Sequence, residues 1–221
     1  MENDLTLDYL PGTDIYIYQH KKMFRMNTDT ALLGNFMQIH EGEKVLDIGT
    51  NNGALLLYAK AYNPGLLIGV DIQEKACEIA RKNMAYHNLQ NIRIIQGDIK
   101  SLTLEKVDVI VSNPPYFKVP NLQRVNENEA IRIARHETHL TLQELIHCVD
   151  RLLKDGGRFY LVHRSDRIVD IACALREAKL EIKQIKFAYN EQKEDARSVL
   201  IEAVKGANIG CRVLPPKIIK G

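Results

Sequence analysis

The chain has 221 residues, 45% hydrophobic and 26% charged, with a formal net charge of +2. That is enough apolar material for one large domain or two small ones, with the charge content of an ordinary soluble protein. No window of about 18 consecutive apolar residues occurs, which excludes a membrane-spanning helix, and the acidic start MENDLTLDYLPG lacks the basic-then-apolar order of a signal peptide. Cys77, Cys148, Cys173 and Cys211 are far apart and form no Cys-x-x-Cys pair. That argues against zinc and for free thiols in a reducing cytoplasm. The first three fall inside helical patterns and read as buried small apolar residues. Basic residues cluster in Lys21-Lys22-Met23-Phe24-Arg25 and in the closing segment with Lys205, Arg212, Lys217 and Lys220. They fit either a polyanionic partner or a solvated face. Nothing in the sequence speaks to assembly, so a monomer is the default.

Residues 1–43 read as a small N-terminal cap on the same domain, because no Pro/Ser-rich linker separates them from the strand pattern at Lys44. From Lys44 strands and helices alternate. KVLDI (44–48) has the pattern of a buried strand, 52–62 of a helix and LLIGVD (66–71) of a second strand. QEKACEIARKNMAYHN (73–88) is amphipathic, with Ala76, Ile79, Ala80, Met84 and His87 on one face. IRIIQGD (92–98) is a third strand and VDVIVSN (107–113) a fourth. A polar stretch from Phe117 to Thr138 has no strong period. HLTLQELIHCVDRLLKDGG (139–157) reads as a helix closed by a glycine C-cap. GRFYLVH (157–163) is a strand, RIVDIACALREAKL (167–180) a helix, and 181–189 and 197–205 two strands joined by a charged loop. Residues 206–221 form a basic C-terminal tail. The order predicts an α/β fold: seven strands, mostly parallel, an antiparallel hairpin at the C-terminal end, and helices on both faces.

Ligands bind beyond the carboxyl ends of strands in open α/β sheets. The first strand runs into Asp47-Ile48-Gly49-Thr50-Asn51-Asn52-Gly53, where two glycines let backbone approach a ligand. Asp71 ends the second strand, where dinucleotide folds place the acid that accepts from ribose hydroxyls. Asp98 follows the third. Three carboxylates at successive strand ends suit an adenosine carrying a cationic group and fit a pyrophosphate badly.

This set resembles the S-adenosylmethionine site of the Rossmann-like class I methyltransferases, as does the order of five βα units followed by a hairpin. The resemblance makes 44–205 the methyltransferase domain. It implies that Asp47, Gly49, Thr50, Asn51 and Gly53 line the methionine moiety, that Asp71 with Ile72 holds the ribose, and that Asp98 with Ile99 contacts adenine. The commonest loop of that class has glycine at the position of Asn51. Asparagine tolerates left-handed φ better than other residues with a Cβ.

The fourth strand ends at Asn113-Pro114-Pro115-Tyr116. Two prolines cannot continue a ladder, so they fix an amide, two carbonyls and a ring at a strand end beside the glycine loop. Asn113 and the Pro114 carbonyl can each accept one N–H of a planar NH₂ group, and Tyr116 can stack a flipped base. Adenine N6, cytosine N4, guanine N2 and a glutamine amide all have that geometry.

Three further stretches narrow the choice. QHKKMFRMNTDTALLGNF (19–36) resembles the F-R-x-x-x-D-x-x-L-L segment of the bacterial tRNA1(Val) (adenine37-N6)-methyltransferases. Ala134-Arg135-His136-Glu137 resembles their A-R-H-E, and RSVLIEAVKGA with VLPP their closing hairpin and tail. The resemblance runs from about residue 8 to the C-terminus. It implies methylation of adenosine N6 at position 37 of tRNA1(Val), with S-adenosylmethionine consumed and S-adenosylhomocysteine released, and no metal. It also implies that the first segment folds over the cofactor, bringing Asn27, Thr28, Asp29 and Thr30 close. In that context Lys21, Lys22, Arg25, Arg135 and Lys217 are candidate RNA contacts, and residues 117–138 are expected to form a lid over the substrate. Glutamine-N5 protein methyltransferases and DNA adenine methyltransferases share the Asn-Pro-Pro-Tyr corner. The first lack room here for their N-terminal helical domain, and the second lack a target-recognition domain. A non-catalytic module that binds RNA or the cofactor is the rival of a different class.

Overall fold

The computed structural model describes residues 4–23, 25–114 and 140–219. An antiparallel hairpin, β1 (Leu5–Tyr9) and β2 (Tyr16–His20), precedes helix α1 (Thr28–Phe36). The alternating body comprises β3 (Lys44–Ile48), α2 (Ala54–Ala59), β4 (Leu66–Asp71), α3 (Glu74–Tyr86), β5 (Ile92–Gln96) and β6 (Val107–Ser112). It continues with α4 (Leu142–Leu152), β7 (Leu153–Arg164), α5 (Ile168–Glu177), β8 (Leu180–Asn190) and β9 (Ser198–Lys205).

The seven expected strands lie in the order β8-β9-β7-β6-β3-β4-β5, and only β9 runs antiparallel to its neighbours. The apolar runs of the central strands β3, β4 and β6 are continuous because both faces are covered. Successive side chains point to opposite faces. Leu46, Ile68, Ile110 and Phe159 therefore pack with α4 and α5, while Val45, Leu67, Val109 and Tyr160 pack with α1, α2 and Met84 of α3. β3 pairs with both β4 and β6. The winding reverses between β3 and β6, which opens a crevice at their carboxyl ends.

One buried amide holds the N-terminal hairpin to this body. Asn83 of α3 is fully buried. Its Oδ1 accepts from the Tyr18 N–H at 2.7 Å, and its Nδ2 donates to the carbonyls of Tyr18 at 3.0 Å and Asn52 at 2.9 Å. An edge strand, a loop and a helix thus share one side chain.

Three sequence expectations change. The helix expected over 139–157 begins at Leu142, because Thr141 and Glu144 form a reciprocal capping box. It ends at Leu152 on an extended Leu153 rather than on a glycine, since Leu153 already pairs with Val107 of β6. Cys77 and Cys148 are buried, but Cys173 lies on the exposed side of α5. The basic segment after Lys205 adds two short strands, β10 (Arg212–Val213) and β11 (Lys217–Ile219), both parallel to β8 at the sheet edge. No helix among the described residues is long and apolar enough to cross a membrane.

Candidate active site

A cavity of about 540 Å³ opens at the carboxyl ends of β3, β4, β5 and β6, within the roughly 300–1,000 Å³ typical of small-molecule and cofactor sites. Its floor is the turn after β3. Gly49 (φ 77°), Asn51 (φ 48°) and Gly53 (φ 81°) are all left-handed, so three tight reversals lift the backbone toward the cavity. Asparagine adopts the middle one, where its short side chain is tolerated.

Asp71 stabilises this turn. Its Oδ2 accepts from the Asn51 N–H at 2.8 Å and its Oδ1 from the Gln73 N–H at 2.9 Å. One carboxylate thus fixes the loop and the start of α3. Burial raises its pKa, opposed by these backbone donors. Asp47 is fully buried. Its Oδ2 accepts from Thr50 Oγ1 at 2.8 Å, while Oδ1 has no partner. Burial pushes its pKa up to about 7, the Thr50 bond pulls the other way, and the charge of Asp71 adds to the rise. Asp47 lines the cavity, and the unpartnered oxygen of its buried carboxyl suits a donor from outside the chain. Farther along, Ile72 and Ile99 supply apolar walls, and Asp98 accepts from the Lys100 N–H at 3.0 Å through Oδ1.

The corner after β6 meets this cavity. Ser112 Oγ donates to the Ile48 carbonyl at 2.9 Å, drawing the ends of β6 and β3 together. Asn113 therefore lies beside the glycine turn and lines the cavity. Its Nδ2 donates to Thr30 Oγ1 at 3.0 Å. Pro114 is buried behind it. Pro115, Tyr116, Arg135 and the expected lid over 117–138 lie outside the described residues.

Several expected cofactor contacts face elsewhere. Of Asn27, Thr28, Asp29 and Thr30, only Thr30 lines the cavity. Asn27 is the N-cap of α1, with Oδ1 accepting from the Thr30 N–H at 3.0 Å. Thr28 is exposed. Asp29 turns away to β9, where Oδ1 accepts from Ser198 Oγ at 2.6 Å and Oδ2 lies 3.6 Å from Arg197 Nη2. Gly53 does not line the cavity either. Its left-handed φ of 81° favours glycine, and a Cβ there would come within 2.5 Å of Met84 Cε, the flexible end of a side chain on α3. Conversely, the wall includes Met26, Asn52, Gln73 and Leu140, which sequence reasoning missed. Asn52 and Gln73 are chain neighbours of the predicted contacts Asn51 and Ile72. Met26 neighbours the predicted Asn27 within the segment expected to fold over the cofactor, whereas Leu140 arrives from a distant segment and carries no local signal.

Among the candidate RNA contacts, Lys22 lies at the cavity mouth, 3.7 Å from Asp4, and Arg25 pairs with Asp8 at 2.7 Å. The Lys21 N–H donates to the Asp4 carbonyl at 2.9 Å. Lys217 is exposed on β11. Among the described residues no group of three His, Cys, Asp or Glu side chains could hold a metal ion.

A Rossmann-like sheet with its cavity at the switch between β3 and β6 defines a class I methyltransferase fold, and a family model described as "Methyltransferase domain" matches residues 39–205. The tRNA1(Val) (adenine(37)-N6)-methyltransferase of Aeromonas salmonicida is 32% identical over 187 residues, 83% of this chain and 78% of that protein. That of Phocaeicola vulgatus is 31% identical over 199 residues, covering 87% and 82%. The chain belongs to the methyltransferase domain family and, within it, to the tRNA1(Val) (adenine(37)-N6)-methyltransferases. Solved structures agree on the fold. The 16S rRNA N2 G1207 methyltransferase of T. Thermophilus, in complex with AdoMet and guanosine, superposes with TM-score 0.65 at 19% identity over 91% of this chain and 50% of that one. The M. jannaschii tRNA m1G37 methyltransferase gives 0.65 at 13% identity over 93% and 58%.

Proposed function

We propose that the protein methylates the exocyclic N6 of adenosine in tRNA, at position 37 of tRNA1(Val), with S-adenosylmethionine as donor and without a metal. The observation that carries this reading is the junction of Asn113 with the cavity beside Gly49. There a planar amide, tethered through its Nδ2, presents an acceptor at the edge of a site where one oxygen of a buried carboxylate lacks a donor.

The residues present fit the cofactor. The open Oδ1 of Asp47 suits an α-ammonium group, which matches its charge and fills its missing hydrogen bond. Asp71 has lone pairs left for ribose hydroxyls beyond its two backbone bonds. Ile72 and Ile99 would flank the adenine ring, with Asp98 at its polar edge. Gly49, Thr50 and Asn51 would line the methionine part. S-adenosylmethionine, when bound, supplies an electrophilic methyl group and leaves as S-adenosylhomocysteine.

The chain's own residues address the nucleophile. The adenine amine is unreactive because its lone pair is delocalised into the ring. Asn113 Oδ1 and the Pro114 carbonyl each accept one N–H, turning the lone pair toward the cavity. The prolines hold these acceptors fixed, so little reorganisation is needed at the moment of reaction. The surplus proton passes to solvent after transfer. Tyr116 would stack the extruded base. Lys21, Lys22, Arg25, Arg135 and Lys217 would contact phosphates, and Lys22 and Arg25 would first exchange their carboxylate partners.

The reading is tested by transfer of labelled methyl from S-adenosylmethionine to unmodified tRNA, followed by nucleoside mass analysis. N6-methyladenosine is expected. Asn113→Ala should retain cofactor affinity and lower turnover by about a hundredfold or more. Cofactor binding without transfer to any tRNA would reject a tRNA substrate and favour glutamine or DNA adenine.

A further inference from the structure

We propose that Thr30 is a positioning residue: its hydroxyl selects the orientation of the Asn113 amide in which Oδ1, rather than Nδ2, faces the substrate. This rests on the reading of Asn113 as the acceptor of the target amine. An asparagine amide has two ends of nearly equal size and opposite hydrogen-bonding sense. Shape alone does not decide which end faces the cavity, and the wrong end would offer donors to an amine that must itself donate.

The hydrogen bonds around Thr30 remove that ambiguity. A threonine hydroxyl has one proton. Thr30 Oγ1 lies 3.2 Å from Asn27 Oδ1, which can only accept, so the proton is committed there. The same Asn27 Oδ1 accepts the Thr30 N–H at 3.0 Å as the cap of α1, which fixes its own orientation. Toward Asn113 the hydroxyl offers only lone pairs, and these can be met only by Nδ2, 3.0 Å away. Thr30 is itself 6% exposed and cannot swing out. The preceding residue, Asp29, ties the same helical turn to Ser198 and Arg197 at the start of the interior strand β9. A run of one-way bonds thus leads from the helix cap to the reacting amide.

Thr30→Val keeps the shape and removes the hydroxyl. It is expected to lower kcat for tRNA methylation roughly ten- to a hundredfold, the scale of a mispositioned reacting group, with the Kd for S-adenosylmethionine within about twofold of wild type. Thr30→Ser should restore most of kcat, because it returns the oxygen. Thr30→Ala is the second deletion, read the same way should valine not pack beneath α1. Three outcomes overturn the proposal: wild-type kcat in the hydroxyl-deleted variant, a serine variant as impaired as valine, or a loss of cofactor affinity matching the loss of kcat. If the wild-type protein methylates no tRNA, the tRNA reading falls alone, and the same variants are compared on the planar amine, glutamine amide or DNA adenine, that is methylated instead. Wild-type transfer with an unimpaired valine variant overturns the proposal alone.

Discussion

Asp47 is the residue whose environment most departs from that of an ordinary carboxyl. Its pKa is pushed from 3.8 to about 7, chiefly by burial. An acid with a raised folded-state pKa holds a proton that the unfolded chain has released. Its contribution to stability is therefore lost as pH rises from about 4 to 7, and the buried charge weakens the fold fully above that window. A ligand ammonium reverses the balance by stabilising the ionised form. At pH 6 the free protein holds this proton, whereas the complex with S-adenosylmethionine should not. Calorimetry in two buffers of different ionisation enthalpy should then show binding with release of close to one proton, fading by pH 8. Asp47→Asn should abolish the release and weaken binding roughly ten- to a hundredfold, the range of a hydrogen bond to a charged group. Heats at pH 6 that do not depend on the buffer would show that Asp47 does not meet the cofactor's ammonium.

At the scale of elements, α1 governs the corner. It packs on α2 through Gly34, where a Cβ would lie 2.4 Å from the Tyr58 ring. The ring cannot retreat, since Tyr58 is 4% exposed and its hydroxyl donates to the Pro11 carbonyl at 2.8 Å. Gly34→Ala gains helix propensity, worth up to about 1 kcal/mol. It also overpacks a rigid contact at about 1–3 kcal/mol, and the clash should win. A fall in Tm of a few degrees is expected, with a fall in kcat because Thr30 sits one turn away on the same helix. A rise in Tm would mean that α1 shifts freely on α2. The elements legible in the sequence, such as KVLDI and LLIGVD, are strands buried on both faces, whose apolar runs announce themselves. The β1–β2 hairpin is not legible there. It is a half-exposed pair of five-residue strands held by Asn83, and nothing local in Tyr16–His20 forecasts a partner 65 residues on. The end of α4 differs from expectation because a bridge between Leu153 and Val107 overrides the Asp155-Gly156-Gly157 stop signal.

Across the whole molecule, the readable part of the site is the part written at strand ends. Asp47, Asp71, Asp98 and Asn113 each lie within two residues of the carboxyl end of a strand, so chain order and the doubly wound topology bring them together. Thr30 is readable only through the resemblance of segment 19–36, while Met26 and Leu140, also outside that alternation, reach the same cavity by tertiary packing. The same topology gives a use to the C-terminal strands. β8 runs parallel to β7, because both are antiparallel to β9, and β11 runs parallel to β8. Lys217, opposite Ala188, therefore lies toward the same rim of the sheet as Asn113. Four strand spacings, from β11 through β8, β9 and β7 to β6, separate them by roughly 20 Å, a span that an RNA backbone covers easily. If Lys217 meets a phosphate, Lys217→Glu should weaken tRNA binding and lower the slope of log K against log salt by about 1. Affinity for S-adenosylmethionine should not change, because Lys217 is remote from the cavity. Lys22→Glu, at the cavity mouth, should lower the slope similarly. An unchanged slope for Lys217→Glu together with a reduced one for Lys22→Glu would confine the RNA footprint to the cap side of the cavity. The edge strands would then serve only to cover β8.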